Sequence, residues 1–402
     1  MQQHFKNARL IFGDKFDTYD KLCDIIVKDD KIVYLGDSVE ESKDEIVYNL
    51  NGKILLPSFA NSNSNSYLSP FIFYQNKELD SSLIYEYQSY INDFTDEEKE
   101  VLINYHLAKN IQSGVTFVDD SANFPEKIAN LLNKYNLNGR VNFYDKENNF
   151  QNINQIYRCD LSMSDNKLCS LSQDSAENKM PVSIKICETL EEAGEIDKKY
   201  NKSCVRYVED LGLLDRNVSL FGCNFLDKDD LEILCSYECD VVVSNFANLY
   251  LARGMPNVVN LISNGITVSF GSEFNTEVDI FSEMKNCYLL TRNLLCDFDA
   301  ISPYEIFEMA TINSKLSMGF SSDLKVGDSA NFVIYNSENK IVNYDDFYKE
   351  FILKFDKSDI FMTISNGKII YENGKIKDMD FEQLSENYNQ LLRRKIWKYL
   401  KF

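Results

Sequence analysis

Hydrophobic positions in the first fifty residues fall into short runs separated by polar pairs. Ala8 to Phe12, Cys23 to Lys28, Lys31 to Leu35 and Ile46 to Leu50 have the length and β-branched content of strands. Asp29-Asp30 predicts a hairpin between the second and third runs, because aspartate tolerates tight-turn geometry. The far end of the chain repeats the pattern. Ala330 to Tyr335 and Phe361 to Tyr371 read as strands, with Asn366-Gly367 and Asn373-Gly374 as turns. Two distant β segments around one long middle region predict a small β-sandwich assembled from residues 1–55 and 321–380.

In the middle region the period changes. Apolar strand-like runs (Val115 to Val118, Val141 to Tyr144, Val182 to Ile186, Val218 to Phe221, Val241 to Val243, Thr267 to Phe270) alternate with amphipathic helical stretches. Such alternation is the pattern of a parallel sheet with crossover helices. Enough units are present for an α/β fold of the TIM (β/α)8 barrel type over residues 56–320. Residues 145–180 are polar and rich in Asn and Ser, which predicts a loop-heavy section. The tail, residues 381–402, reads as an amphipathic helix with a basic stretch, Leu391-Leu392-Arg393-Arg394-Lys395, that docks on the core or on a dimer partner.

Composition narrows the function classes. A net charge of −21 argues against nucleic acid and anionic membrane surfaces, both of which need clustered Lys and Arg. No run approaches the length of a membrane span, and Met1 to Lys6 lacks the apolar stretch of a signal peptide, so a cytoplasmic location is expected. The ten cysteines are scattered with no Cys-x-x-Cys pair, which predicts free, mostly buried thiols. Histidine is scarce: only His4 and His106 occur in 402 residues. His106 lies in a helix-like stretch and reads as an ordinary helix residue. His4 falls in an expected edge strand or frayed terminus.

That scarcity matters because of a resemblance. Ile54-Leu55-Leu56-Pro57-Ser58-Phe59-Ala60-Asn61-Ser62-Asn63-Ser64-Asn65 resembles the first barrel strand of amidohydrolase-superfamily deaminases, which reads roughly Leu-Pro-Gly-Phe-Val-Asn-x-His-x-His. Further segments follow in the family's order. Gly114-Val115-Thr116-Phe117-Val118-Asp119 resembles the second strand, Cys187-Glu188-Thr189 ends a segment like the fifth, and Leu211-Gly212-Leu213-Leu214-Asp215 resembles the approach to the sixth. Asn248 to Gly254 looks like the loop after the seventh strand, and Asn264 to Glu273 like the segment of the eighth. The chain is most similar to the methylthioadenosine/S-adenosylhomocysteine deaminase and chlorohydrolase-like branch, whose members bind a catalytic zinc or iron through histidines.

Carried over position by position, the resemblance implies an altered centre. The first-strand histidines correspond to Asn63 and Asn65, and the fifth-strand ligand to Lys185, three residues before the family's catalytic Glu, here Glu188. The sixth-strand His corresponds to Gly222, with Cys223 beside it, and a further His to Phe225. The eighth-strand Asp corresponds to Glu273, a seventh-strand His to Val243, and a substrate-binding His of the fourth strand to Gln173.

Hydrolytic deamination needs hydroxide at neutral pH, which a bound metal supplies by lowering the pKa of water. Asn offers a neutral amide oxygen, Gly offers nothing, and an ammonium has no lone pair. No metal cofactor is therefore expected. Glu188, Lys185 and Glu273 are the candidate catalytic residues, in a mouth lined by Asn63, Asn65, Lys185, Gly222 and Glu273. Losing a cation from such a site demands protonation or a replacement. The Lys185 ammonium is expected to stand in the vacated space, paired with Glu273 or Glu188. The expected function is a metal-free pseudoenzyme with a binding or regulatory role, and the alternative is a hydrolase of non-peptide carbon–nitrogen bonds with a rebuilt site. Expected partners are a small molecule at the mouth and a second subunit, in a homodimer or paired with an active paralogue.

Overall fold

The computed structural model describes residues 2–12, 19–73, 81–143, 150–214, 218–237, 239–321, 324–336, 340–341 and 346–396. The N-terminal strands are β1 (Gln2–Phe12), β2 (Tyr19–Lys28), β3 (Lys31–Gly36), β4 (Glu45–Asn49) and β5 (Ile54–Pro57). Eight strands follow in the middle of the chain: β6 (Phe59–Ser64), β7 (Val115–Asp120), β8 (Asn138–Asn142), β9 (Ile153–Asp160), β10 (Val182–Ile186), β11 (Val218–Gly222), β12 (Asp240–Val243) and β13 (Thr267–Phe270). The C-terminal strands are β14 (Phe332–Tyr335), β15 (Ile360–Ser365), β16 (Lys368–Glu372) and β17 (Lys375–Ile376).

Strands from both ends join in one sheet, in the order β17-β16-β15-β14-β5-β1-β2-β3, with β4 pairing β1. The turn between β2 and β3 is Asp29-Asp30, with Asp29 at φ 57° and Lys28 opposite Lys31. A bridge from Lys31 to Ser329 brings the far edge back toward β14. Phe5, Ile25, Val27, Leu55, Phe332 and Ile364 fill the small core that the sheet encloses. His4 is not at an edge or a frayed end, as the sequence suggested. It lies fully buried in the middle strand β1, with Nε2 3.0 Å from Asp24 Oδ2 and Nδ1 2.9 Å from Glu45 Oε1. Both ring nitrogens face carboxylates, so the ring donates to both only as an imidazolium.

β6 through β13 run parallel in chain order as the second sheet. The sheet closes into a barrel where a parallel bridge joins Ser64 to Glu273. Glu273 N donates to Asn63 O at 2.7 Å and Asn65 N to Glu273 O at 3.2 Å. The seam is close enough to need Gly271, since a methyl there would sit 2.8 Å from Asn63 N and closer still to its Cβ. Helices cover the outside. The helix Asp96–Gln112 begins in a capping box formed by Thr95 and Glu98 and buries Leu102, Ile103, Leu107 and Ile111. Phe59 packs edge-on to Phe281 and Phe307. The segment expected to be loop-heavy is ordered: residues 153–160 form the barrel strand β9 and Asp165–Asn178 a helix on the outside. Val141 belongs to a strand that begins earlier than expected, at Asn138, and Tyr144 is outside the described residues.

The barrel interior is unusually polar. Arg140 of β8, 2% exposed, donates from Nε to Asp119 Oδ2 at 2.7 Å and from Nη1 to the Ser317 carbonyl at 2.7 Å. It also reaches Ser219 on β11. Arg158 of β9 pairs with the same Asp119. Apolar branched side chains usually fill this space. Here one carboxylate stands between two guanidiniums, whose further donors reach the Ser317 carbonyl and the Ser219 and Ser183 hydroxyls, while Arg158 Nε has no hydrogen-bond partner among the described residues. The tail is helical from Phe381 to Leu391 with a further turn from Leu392 to Ile396, and Tyr388 stacks on Tyr105 at 3.7 Å. Residues 397–402 lie outside the described residues.

Candidate functional site

The C-terminal ends of β10, β11 and β13 converge at the barrel mouth. Each chain turns away through a left-handed residue just past its strand: Cys187 at φ 50°, Cys223 at φ 55° and Glu273 at φ 44°. Non-glycine residues adopt this conformation only when the surroundings hold it, and such strain gathers at functional loops.

Four charged side chains meet there. Lys185 Nζ lies 2.7 Å from Glu188 Oε1 and 3.2 Å from Glu273 Oε1. Arg253 Nη1 donates to the same two oxygens, at 2.6 Å to Glu188 and 3.1 Å to Glu273. The expected partners of Lys185 are thus both present. Arg253 was missed as a site residue, although its segment was recognised. The chain alone gives no reason to choose it, because it reaches the mouth across 65 residues from Glu188.

Position explains the electrostatics. Burial works against the charge on Lys185, but the two carboxylates outweigh it and hold the ammonium above its ordinary value. The same balance raises Arg253. Burial pushes Glu273 up, and the two cations more than reverse this, leaving it below the ordinary carboxylate range. Glu192, on the first turn of the next helix, accepts the Glu188 N–H at 2.8 Å. Burial foremost, with the negative charge of Glu188 adding to it, raises Glu192 to about 7.

The other positions expected here are arranged differently. Asn63 is 8% exposed and its amide points to Ser244 Oγ at 3.4 Å. Asn65 accepts the Leu68 N–H at 3.1 Å, closing the turn into the helix Ser69–Phe73. Gly222, at φ 91°, lies beneath Glu188; a methyl group there would meet the Ile186 carbonyl at 2.6 Å and Glu188 Cα at 3.2 Å. Gln173 is not at the mouth. It lies in the helix Asp165–Asn178, whereas the fourth barrel strand is β9, which ends with Arg158 and Asp160. His106 is buried in the helix Asp96–Gln112, with Nε2 2.5 Å from Ser64 Oγ, and burial lowers it to about 3. It is therefore neutral.

This set does not fit a zinc or iron ion. Between the two carboxylates stand an ammonium and a guanidinium, which have no lone pair to donate and repel a cation. Among the described residues no group of three or more His, Cys, Asp or Glu is arranged to hold a metal. Nor is a nucleophile activated. Lys185 stays protonated at neutral pH. Burial drives the Cys223 thiol up, and the Cys204 thiol together with burial does so for Cys187. What the mouth offers is paired donors and acceptors in fixed positions.

The amidohydrolase family matches residues 157–370, more than half of the chain and including all four of these residues. The chain belongs to the amidohydrolase family. It is 22% identical over 90% of its length to a 5'-deoxyadenosine deaminase of Methanosarcina acetivorans, covering 91% of that protein. It is 23% identical to a 5-methylthioadenosine/S-adenosylhomocysteine deaminase of Thermococcus onnurineus, over 91% of this chain and 93% of the relative. Among solved structures, this amidohydrolase resembles a zinc-bound adenosine deaminase from Xanthomonas campestris with a TM-score of 0.87 at 15% identity, covering 98% of both chains. A zinc complex of atrazine chlorohydrolase from Arthrobacter aurescens gives a TM-score of 0.83 at 16% identity, over 97% of this chain and 100% of the other. The barrel with its composite sheet is the fold these proteins share. Among the described residues no helix is long and apolar enough to cross a membrane.

Proposed function

We propose that this amidohydrolase is a metal-free homologue of the nucleoside deaminases, a pseudoenzyme that uses the barrel mouth for binding and not for hydrolysis. The observation that supports the reading is the quartet of Lys185, Glu188, Arg253 and Glu273. In it the charge that a divalent ion would supply comes from an ammonium and a guanidinium, which cannot coordinate a water as a Lewis acid does. A binding subunit of this kind would form a homodimer or pair with an active paralogue, and it would act in the cytoplasm.

A second reading, a hydrolase of carbon–nitrogen bonds with a rebuilt site, draws on Glu192. A carboxyl held near neutrality beside Glu188 has the acidity of a general acid or base. One assay separates the two. Ammonia release is followed from adenosine, 5'-deoxyadenosine and methylthioadenosine, with and without added zinc or ferrous iron. The binding reading predicts none in either condition. Metal-independent release that disappears in Glu192→Gln would establish the second reading, and metal-dependent release would exclude both.

A further inference from the structure

Arg253 is 7% exposed, yet only its Nη1 is engaged. Among the described residues its Nε and Nη2 donate to no acceptor. These two nitrogens form an edge of the guanidinium that matches a carboxylate bidentately. The two glutamates are half-engaged in the same way. Both cations converge on Oε1 of Glu188 and Oε1 of Glu273, and among the described residues the second oxygen of each accepts no hydrogen bond. Lys185 keeps a proton beyond its two carboxylate contacts, with a quarter of its side chain (26%) open to solvent. The Phe274 ring lies 5.5 Å from Lys185 Nζ and 5.8 Å from the Arg253 guanidinium carbon, an apolar wall beside the unspent groups.

We propose that the mouth binds a small zwitterion, its carboxylate on the Nε–Nη2 edge of Arg253 and its ammonium on the second oxygens of Glu188 and Glu273. Charge balance selects this class. Within the quartet two cations and two carboxylates sum to zero, so a lone anion or a lone cation leaves a charge uncompensated in a mostly buried site. A ligand that carries both signs uses the open donors and acceptors together and preserves neutrality. Arg253 anchors it, because its main chain is held on both sides and its Nη1 is held by the two carboxylates. The Arg253 N–H donates to the Asn248 carbonyl at 3.0 Å, and the Arg253 carbonyl accepts from Asn224 Nδ2 at 3.3 Å.

The inference rests on the metal-free reading of the same site, so metal content is measured on the same preparation. Thermal shift and isothermal titration are run with glycine, L-alanine and γ-aminobutyrate as zwitterions, and acetate and methylamine as single ions. The expected result is stabilisation by at least one zwitterion at millimolar concentration and none by either single ion. Arg253→Lys, which keeps the charge and removes the fork, should weaken that binding about tenfold or more. Equal stabilisation by acetate, or no response to any zwitterion, overturns the proposal, and both are read on the wild-type protein whether or not the variant folds. A metal-free protein that ignores zwitterions defeats this inference alone, whereas bound metal defeats the reading beneath it.

Discussion

Truncating one member of the mouth quartet leaves an opposite charge buried without its partner, and the cost of that is larger than the worth of the pair. Glu273 is 5% exposed and neutralises half of the charge on both cations. Glu273→Ala should therefore cost about 3 kcal/mol in urea denaturation at neutral pH. The pH dependence follows from the directions of the shifts. Glu273 titrates below its ordinary value, so its contribution is present above that value and is lost as pH falls through the depressed one. Lys185 titrates above its ordinary value, so its contribution is present below that value and is lost as pH rises through the raised one. Glu273→Gln should flatten the acid limb of the melting-temperature profile. An unchanged acid limb would show that the carboxylate is not held by the cations. Lys185, Glu188 and Glu273 were legible in the sequence because each occupies a place in a recognisable segment. Arg253 and the buried surroundings of His4 were not, since both depend on contacts between residues remote along the chain.

Gly222 tests the site at the level of the strand ends. It permits the loop after β10 to fold down over β11, with Cys223 N donating to the Ile186 carbonyl at 2.8 Å and Asn224 N to the Cys187 carbonyl at 2.9 Å. Gly222→Ala adds a methyl 2.6 Å from a carbonyl in a left-handed conformation. It should destabilise the protein by about 2 kcal/mol or more and lift Glu188 away from Lys185. A variant as stable as the parent in chemical denaturation would mean that the loop has room the structure denies it. Most elements could be read from hydrophobic period, because β7, β10, β11 and β13 are short apolar runs bounded by helices. β9 could not. Its buried positions, Ile153, Ile156 and Cys159, recur every third residue, and the intervening Asn154 and Arg158 reach to the Met318 carbonyl and to Asp119. A strand whose polar residues are spent inside the molecule does not show the alternation that identifies strands. Without β9, the fourth-strand correspondence slid onto Gln173 in the following helix.

At the scale of the whole molecule, β segments from both chain ends around a middle region of the α/β-barrel type were legible from the order of the elements, and the first barrel strand from the resemblance to the amidohydrolase deaminases. The relatives share that architecture over nearly their full length. At the mouth of this amidohydrolase an ammonium and a guanidinium stand between two carboxylates. The most direct test is the metal content of untagged protein, purified without chelator, before and after incubation with zinc and with ferrous iron followed by gel filtration. The charge arrangement predicts negligible metal in every sample. A full equivalent that survives gel filtration would contradict it, because Lys185 and Arg253 would then have to leave the carboxylates to admit the ion.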